Sequence, residues 1–262
     1  MGRVLQLEIP ETQLSEAVSR FFWITYRYDF SPINGTAFTS DAGWGCMIRS
    51  GQMLAASAIA STVLGETRKE HGSFTVAKQS YLFVEWLEQA IDPYIRKFVI
   101  SNFLDETKSP LSLHNIIMQG VKMGKAVGEW HAPSITAHCI NNLINEKLTI
   151  GLRSYCVMDM TVDISVITKL LDGAKVLIWL PMRLGVDSLN PIYLNAIKKL
   201  LKMPQSLGIA GGRPNSSLYF IGYSDEALLY LDPHYCRPCV QATDAQSMTD
   251  EVFAFVIACI RR

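Results

Sequence analysis

The sequence predicts an α+β fold, with helices in the first half of the chain and an antiparallel sheet in the second. Two observations favour this division. Apolar residues recur at helical spacing up to about residue 144, whereas later segments are short apolar runs bounded by turn residues. The 262 residues are 49% hydrophobic, enough for one sizeable core. We therefore expect a single domain over residues 1–262.

Six segments have the spacing or the start signals of helices. The most apolar of them is rich in Ala, Leu and Met, and we expect it to be buried on most faces. Two others begin at prolines, which suit the first position of a helix. The six predicted helices are residues 13–26, 46–63, 80–91, 112–123 and 133–144, and a helix that begins at Pro191.

The second half contains the strand signals. Residues 176–181 form an apolar run typical of a buried strand. Residues 217–223 and 227–234 flank a short polar turn at 224–226, which predicts a β-hairpin. Residues 253–260 are apolar and must pack against the rest of the chain. The helix at 46–63 would then lie on this sheet.

Charge and hydropathy exclude several classes of protein. Lys and Arg number 24, as do Asp and Glu, and no basic block occurs, so neither nucleic acid nor an anionic lipid surface is an expected partner. The longest apolar runs are too short to span a bilayer, so we expect no stable membrane insertion. The first residues lack the apolar segment of a secretory signal. We expect a cytoplasmic monomer.

The six cysteines do not predict a disulfide framework in a chain of this length. Cys236 and Cys239 are two residues apart, but no second such pair accompanies them, so a structural zinc site would lack half its ligands. We expect no metal and no cofactor. A redox role for this pair stays open, although two strand-end cysteines near a turn are the favoured interpretation.

Cys46 is the candidate nucleophile. It follows Gly43, Trp44 and Gly45 and begins the apolar helix predicted at 46–63. A helix N-terminus lowers the pKa of a thiol, because its unpaired N–H groups and its dipole favour negative charge. We expect the flanking glycines to let a substrate backbone approach closely. The alternative is a small buried hydrophobic residue, which is the commoner role of a cysteine at such a position.

His234 is the candidate base, and Asp232 the group that orients it. They are two residues apart, so on an extended backbone their side chains point to the same face. An aspartate that accepts from one imidazole nitrogen leaves the other free for a thiol. A turn with a surface histidine is the alternative. Neither His71 nor His138 has a better carboxylate neighbour.

These motifs resemble those of the autophagins, the cysteine proteases of autophagy. The match covers the nucleophile segment TSDAGWGCMIRSGQM at residues 39–53 and is longest in MPQSLGIAGGRPNS at 203–216. Further blocks occur in the same order, and together they extend from about residue 20 to 240. These further blocks are residues 25–27, 128–130, 181–185, 219–223 and 229–234.

The resemblance implies a papain-like cysteine protease fold, in which a helical half that carries the nucleophile packs on a sheet that carries Asp and His. It implies that Cys46 is the nucleophile, His234 the general base, Asp232 its orienter and Tyr26 a donor at the oxyanion site. The implied partner is the ubiquitin-like autophagy modifier. The enzyme would cleave the modifier precursor after a C-terminal glycine and would release the modifier from phosphatidylethanolamine.

The resemblance also implies a gate over the site. Trp130 and Pro214 would close over it, and substrate would lift a loop with a hinge at Gly211 and Gly212. A finger-like appendage at about residues 146–175 would be smaller than is usual in the family. The residues implied in substrate binding and gating are Trp130, Arg213, Pro214, Asn215 and Ser216.

Two alternatives to this function stay open. One is a papain-like protease that acts on another ubiquitin-like protein. The other is a catalytically weak module that binds the modifier. This second alternative depends on the end of the chain at Arg262, because family members usually continue with a further strand, a helix and a tail that helps to bind the modifier.

Overall fold

The structure is a computed structural model that describes residues 21–65, 91–186, 188–223 and 227–240, together with four further strands. Within this part, helices and an antiparallel sheet are both present, as predicted. The helices are α1 Cys46–Val63, α2 Pro93–Ser101, α3 Leu113–Lys122, α4 Pro133–Lys147, α5 Ile164–Leu170 and α6 Leu194–Lys202, with short 3₁₀ turns at Ile33–Gly35 and Pro191–Tyr193. The strands are β1 Val4–Gln6, β2 Tyr26–Tyr28, β3 Gly72–Val76, β4 Gln79–Phe83, β5 Leu152–Cys156, β6 Lys175–Trp179, β7 Ile209–Arg213, β8 Ser216–Tyr223, β9 Ala227–Leu231, β10 Cys236–Pro238 and β11 Ile257–Arg261.

Strand β8 is the centre of the main sheet. It pairs antiparallel with β9 on one edge and with β7 and β4 on the other. The sheet continues from β9 through β11 to β1, and from β4 to β3, with every pairing antiparallel. The hairpin predicted around residues 224–226 is confirmed by the β8–β9 pair. Two small parallel pairs, β5–β6 and β2–β10, lie outside this sheet.

Helix α1 packs against β8 and against α4. Fifteen of its eighteen residues are buried, because apolar and small residues occupy most of its faces, as predicted. The inward face of β8 carries Ser217, Tyr219 and Ile221, which alternate with more exposed neighbours. The Tyr219 hydroxyl lies 3.2 Å from Ser57 Oγ of α1. The first turn of α1 lies near the other end of this face, beside Ser217 and the β7–β8 hairpin.

A buried ion cluster next to the first turn of α1 joins this helix to residues from several other parts of the chain. Arg49 is 1% exposed, and its guanidinium lies 2.8 Å from Asp41 and 3.0 Å from Asp105. Asp41 also accepts the Arg27 main-chain N–H at 2.6 Å, and Asp105 accepts that of Val240 at 3.1 Å. Burial alone would lower the pKa of Arg49, but the two carboxylates raise it above its ordinary value.

The helix predicted at residues 13–26 is wrong where the structure describes it. Residues 13–20 lie outside the described residues, and residues 21–25 are not helical. Tyr26 begins a strand that pairs with β10. The apolar spacing arises because Phe21, Phe22 and Trp23 are all buried in the core without helical structure. Because consecutive residues are buried, some of the apolar positions in this segment also fall at helical spacing.

The helix predicted at residues 80–91 is wrong at its start. Residues 80–83 belong to β4, which pairs with both β3 and β8, while residues 84–90 lie outside the described residues. Aromatic and apolar residues such as Tyr81, Leu82 and Phe83 favour strands when a ladder is available on each side. A single sequence does not reveal that these two partner strands exist.

Other predicted elements are confirmed with shifted ends. The helices at 112–123 and 133–144 and the one after Pro191 are present, and the strand at 176–181 is β6, which ends at Trp179. The strand at 227–234 ends at Leu231. Of residues 253–260, the last four belong to β11, and the first four lie outside the described residues.

The reduced appendage at about residues 146–175 stays a prediction. That segment contains β5 and α5. Nowhere in the described ranges is a helix both long enough and apolar enough to cross a bilayer.

We expect Arg49→Leu to lower the free energy of unfolding by about 3–5 kcal/mol, because two buried carboxylates would lose their counter-charge. Urea denaturation followed by circular dichroism measures this. Glu129→Gln is the control, since it removes an exposed ion-pair partner of Lys125 and should leave the midpoint unchanged. Equal midpoints for Arg49→Leu and the unmodified chain would contradict the structural role of the cluster.

Candidate active site

Cys46 is the first residue of α1, as predicted, and it is fully buried. A tight turn precedes it, in which the Asp41 carbonyl accepts the main-chain N–H groups of Trp44 at 3.2 Å and Gly45 at 2.8 Å. The turn presents the thiol at the start of the helix, where main-chain N–H groups lack carbonyl partners within the helix. This position stabilises negative charge on sulfur.

Both glycines of this turn have reasons within the chain itself. Gly43 has φ 88°, a left-handed conformation that side chains disfavour. A Cβ on Gly45 would lie 2.2 Å from Asp41 Oδ2, so only glycine leaves room for the carboxylate that binds Arg49. Close approach of a substrate backbone, which we expected from the sequence, is therefore not needed to explain these glycines.

Asp232 and His234 are in contact. Asp232 Oδ1 lies 2.5 Å from His234 Nδ1 and accepts the His234 main-chain N–H at 2.9 Å. The contact was expected, but its predicted cause is wrong, because β9 ends at Leu231 and the two residues occupy the turn that follows. Trp23 holds this turn by donating its indole N–H to the Asp232 carbonyl at 2.7 Å.

The thiol and the imidazole form a coupled pair. Burial opposes ionisation of Cys46, but polar groups of His234, Ser217 and Tyr26 close to the sulfur offset it and lower its pKa to about 7. Hydrogen bonds with Asp232 and Cys46 raise the pKa of His234 to about 10. Burial alone would raise the pKa of Asp232, but hydrogen bonds with His234 lower it. Between these pKa values of Cys46 and His234, the favoured state is a thiolate beside an imidazolium.

At two other buried cysteines, burial dominates the pKa of the thiol. Burial raises the pKa of Cys139 to about 12 and that of Cys156 to about 11, which leaves both as unreactive thiols. The nearest polar contact of Cys156 is the His138 ring, 3.7 Å from its sulfur. His114 contacts the Ser31 carbonyl instead, and His71 lies outside the described residues. These contrasts single out Cys46 as the nucleophile candidate.

Tyr26 lies beside this pair. Its ring centroid is 5.4 Å from that of His234, with the rings at 89°. The hydroxyl is buried and makes no conventional hydrogen bond with the described residues. Burial raises the pKa of Tyr26, so the phenol stays protonated and remains a donor. Its main-chain N–H donates to the Pro233 carbonyl at 2.9 Å, which fixes β2 against the His234 turn.

The residues predicted to form a gate lie at the tip of the β7–β8 hairpin. Asn215 has φ 58° and follows Pro214, an arrangement typical of a type II turn. The Asn215 carbonyl lies 3.2 Å from His234 Nε2. Arg213, Pro214 and Ser216 line a groove of about 1960 Å³, and Trp130 lines the same groove. Gly211 and Gly212 lie within β7, so their hinge role stays a prediction.

Two residues near the nucleophile were not found from the sequence. Arg49, in the turn of α1 after Cys46, carries the ion cluster described above. A charged residue in an otherwise apolar helix is a usable signal, because buried charges require partners. Ser217 is fully buried, and its hydroxyl faces the Cys46 sulfur. A serine in a strand gives no comparable signal.

Among the residues that the structure describes, no cluster of His, Cys, Asp and Glu could hold a metal ion. Cys236 is exposed, and Cys239 Sγ lies 3.1 Å from the Asp29 carbonyl. Cys236 begins the short strand β10 and Cys239 follows its end, in agreement with the favoured interpretation, while a redox role for them stays untested.

A thiolate at a helix start, an imidazole oriented by a carboxylate and buried donors beside the sulfur define the class of cysteine peptidases. Residues 11–259 match the family description "Peptidase C54 catalytic domain". The chain belongs to the Peptidase C54 family, and the predicted resemblance to the autophagins is confirmed.

Three curated relatives illustrate the extent of the similarity. Cysteine protease ATG4D of Xenopus laevis is 34% identical over 280 residues, which cover 88% of this chain and 59% of the relative. Cysteine protease ATG4A of Mus musculus is 33% identical over 282 residues, covering 97% and 67%. Cysteine protease ATG4B of Gallus gallus is 32% identical over 288 residues, covering 97% and 69%. The chain thus spans about three fifths to two thirds of these proteins.

We expect the alkylation rate of Cys46 by iodoacetamide to rise as pH increases through about 7, because the thiolate reacts and the pKa of Cys46 is about 7. Mass spectrometry of the Cys46 peptide separates this reaction from that of exposed Cys236. His234→Ala should slow alkylation at pH 6.5 by roughly tenfold or more, as the pKa returns toward its ordinary value of about 8.5. An unchanged profile would contradict the pairing of the two residues.

Gly45→Ala should slow Cys46 alkylation at neutral pH at least about tenfold, because the added methyl group would displace the Asp41 carboxylate and the turn that presents the thiol. Ala42→Ser, at an exposed position in the same turn, is the matched control and should react normally. Normal reactivity of Gly45→Ala would contradict the role assigned to the geometry of this turn.

Proposed function

We propose that this chain is a cysteine endopeptidase that cleaves the ubiquitin-like autophagy modifier after its C-terminal glycine. It would both mature the modifier precursor and release the modifier from phosphatidylethanolamine. The observation that supports this most strongly is the buried Cys46 thiol at the start of α1, hydrogen-bonded to a histidine that Asp232 orients. Family membership supports the same class of reaction.

The proposed first step is acylation. The Cys46 thiolate attacks the carbonyl carbon of the substrate glycine, and the carbonyl oxygen becomes an oxyanion. The Tyr26 hydroxyl and main-chain N–H groups at the start of α1 donate to that oxyanion. His234, as imidazolium, gives its proton to the leaving amide nitrogen when the C–N bond breaks. A thioester on Cys46 and a free amine result.

The proposed second step is hydrolysis. Neutral His234 takes a proton from water, which attacks the thioester carbonyl. The C–S bond breaks, the modifier leaves with a free glycine carboxyl group that loses its proton to solvent, and the thiolate–imidazolium pair is restored. The same residues would act whether the leaving amine belongs to a peptide or to phosphatidylethanolamine. No step uses a metal or a cofactor.

The hairpin tip suits the proposed gating role. The Asn215 carbonyl occupies the hydrogen-bonding position at His234 Nε2, the nitrogen that must deliver the proton to the leaving group. Substrate would therefore have to displace this tip before the reaction. Trp130 and Pro214 line the same groove, and a tail that ends in glycine would pass between them as a narrow extended backbone. Arg213 and Ser216 would flank that path.

We also propose that the enzyme is a cytoplasmic monomer that binds the modifier in its precursor and lipid-conjugated forms and binds no nucleic acid. The balance of 24 basic and 24 acidic residues supports the last point, since polyanions require basic patches. The modifier, rather than affinity for lipid, would bring the enzyme to membranes.

Cleavage of a modifier precursor tests the proposed function. The unmodified chain should release the C-terminal segment, and Cys46→Ala should release none while it still binds the modifier. A panel of other ubiquitin-like proteins with the same C-terminal reporter tests the first alternative, which predicts cleavage of one of these instead. If the unmodified chain and Cys46→Ala both bind and neither cleaves, the chain is a binding module and the protease proposal is wrong.

Tyr26→Phe should lower kcat for precursor cleavage by about 100-fold with little change in KM, because one oxyanion donor is lost. Tyr28→Phe is the matched control, since Tyr28 ends the same strand but is exposed. Equal kcat values for the two variants would rule out the oxyanion role of Tyr26.

A further inference from the structure

Ser217 is placed beside the nucleophile by the pleat of β8. It alternates with exposed Ser216 and shares the inward face with Tyr219, whose hydroxyl contacts Ser57 of α1. Ser217 lies one inward position nearer the tip of the β7–β8 hairpin, where both its main chain and its hydroxyl are close to the first residue of α1. That residue is Cys46.

The Ser217 hydroxyl is completely buried, yet it makes no conventional hydrogen bond with any group in the described ranges. The ordinary role of a buried serine is to satisfy its hydroxyl with a main-chain carbonyl or a side chain. Leaving it unsatisfied costs stability, which an alanine of nearly the same size would avoid. We therefore looked for a nearby group that becomes a strong acceptor when the site changes its charge.

The Cys46 sulfur is that acceptor. Both the main-chain N–H and the hydroxyl of Ser217 lie close enough to the sulfur to favour its ionised form. A neutral thiol is a weak acceptor, whereas a thiolate accepts several hydrogen bonds strongly. Tyr26 has a second unpartnered buried hydroxyl on this site, so two donors converge on the sulfur.

We propose that Ser217 is a catalytic residue whose hydroxyl donates a hydrogen bond to the Cys46 thiolate and keeps the resting nucleophile ionised. The proton stays on Ser217, and no bond to it forms or breaks. Tyr26 also faces the resting sulfur, but the proposed mechanism assigns its hydroxyl to the oxyanion, whereas that of Ser217 acts on the resting thiolate alone. This inference uses Cys46 as the nucleophile of the proposed function but does not depend on which substrate is cleaved.

The test is the pH profile of Cys46 alkylation by iodoacetamide in Ser217→Ala, followed on the Cys46 peptide by mass spectrometry. We expect the profile to move to higher pH, with alkylation at pH 6 about tenfold slower, as loss of one hydrogen bond to a charged group implies. The rate on the alkaline plateau should not fall, because the thiolate there is fully formed. Ser217→Thr keeps a hydroxyl and should restore most of the rate at pH 6.

Ser165→Ala is the control, since it removes an exposed hydroxyl on α5, outside the site, where its partner is Asp163. Its profile should coincide with that of the unmodified chain. A Ser217→Ala profile that also coincides with it would overturn the inference. So would a rate reduced equally at every pH with a lower denaturation midpoint, because that pattern indicates a packing role alone.

The outcome separates this inference from the proposed function, because alkylation involves no substrate. If Ser217→Ala shifts the profile while the modifier precursor is not cleaved, the role of Ser217 stands and the proposed substrate is wrong. If the precursor is cleaved and the profile does not move, the proposed function stands and the role of Ser217 is wrong.

Discussion

The contact between Arg49 and Asp41 is the constraint on which the site depends. Arg49 lies one turn after Cys46, and Asp41 lies in the turn before it, so the ion pair closes that turn around the nucleophile. The second oxygen of Asp41 accepts the main-chain N–H of Arg27, the residue that follows Tyr26. One buried carboxylate thus sets the position of the thiol relative to the strand that carries the proposed oxyanion donor. A buried ion pair often adds no net stability compared with apolar packing, but it requires its charged groups to lie at defined positions.

The same cluster extends to the segment after the histidine. Asp105 pairs with Arg49, donates its main-chain N–H to the Val240 carbonyl at 3.0 Å, and accepts the Val240 N–H on its carboxylate at 3.1 Å. The Arg27 guanidinium donates to the Pro238 carbonyl at 3.1 Å. One polar network therefore connects the start of α1 to the segment that follows the His234 turn. Packing of α1 on β8 fixes the helix against the main sheet. This arrangement limits the movement of sulfur relative to imidazole, which a proton-sharing pair requires.

The sequence predicts the parts of this site that have local causes. A cysteine before an apolar helical run, and an aspartate two residues from a histidine, are readable from spacing alone. The roles proposed for Tyr26, Trp130 and the hairpin tip came from the family resemblance, because their positions depend on contacts between residues far apart in the chain. The helices predicted at 13–26 and 80–91 overlapped the start of β2 and most of β4 for the same reason: these ladders are formed with partners far away in sequence. Ser217 is recognised only when its burial and its missing partner are seen together.

Direct titration of the thiolate tests the central claim, that the folded site holds Cys46 as an anion beside protonated His234. The ultraviolet absorbance of thiolate near 240 nm, measured as the difference between the unmodified chain and Cys46→Ala, isolates this one group. The account predicts that the difference signal appears as pH rises through about 7. A signal that appears only near the ordinary cysteine value of about 8.5 would contradict it, because the helix start, His234 and the buried donors would then have no effect on the nucleophile.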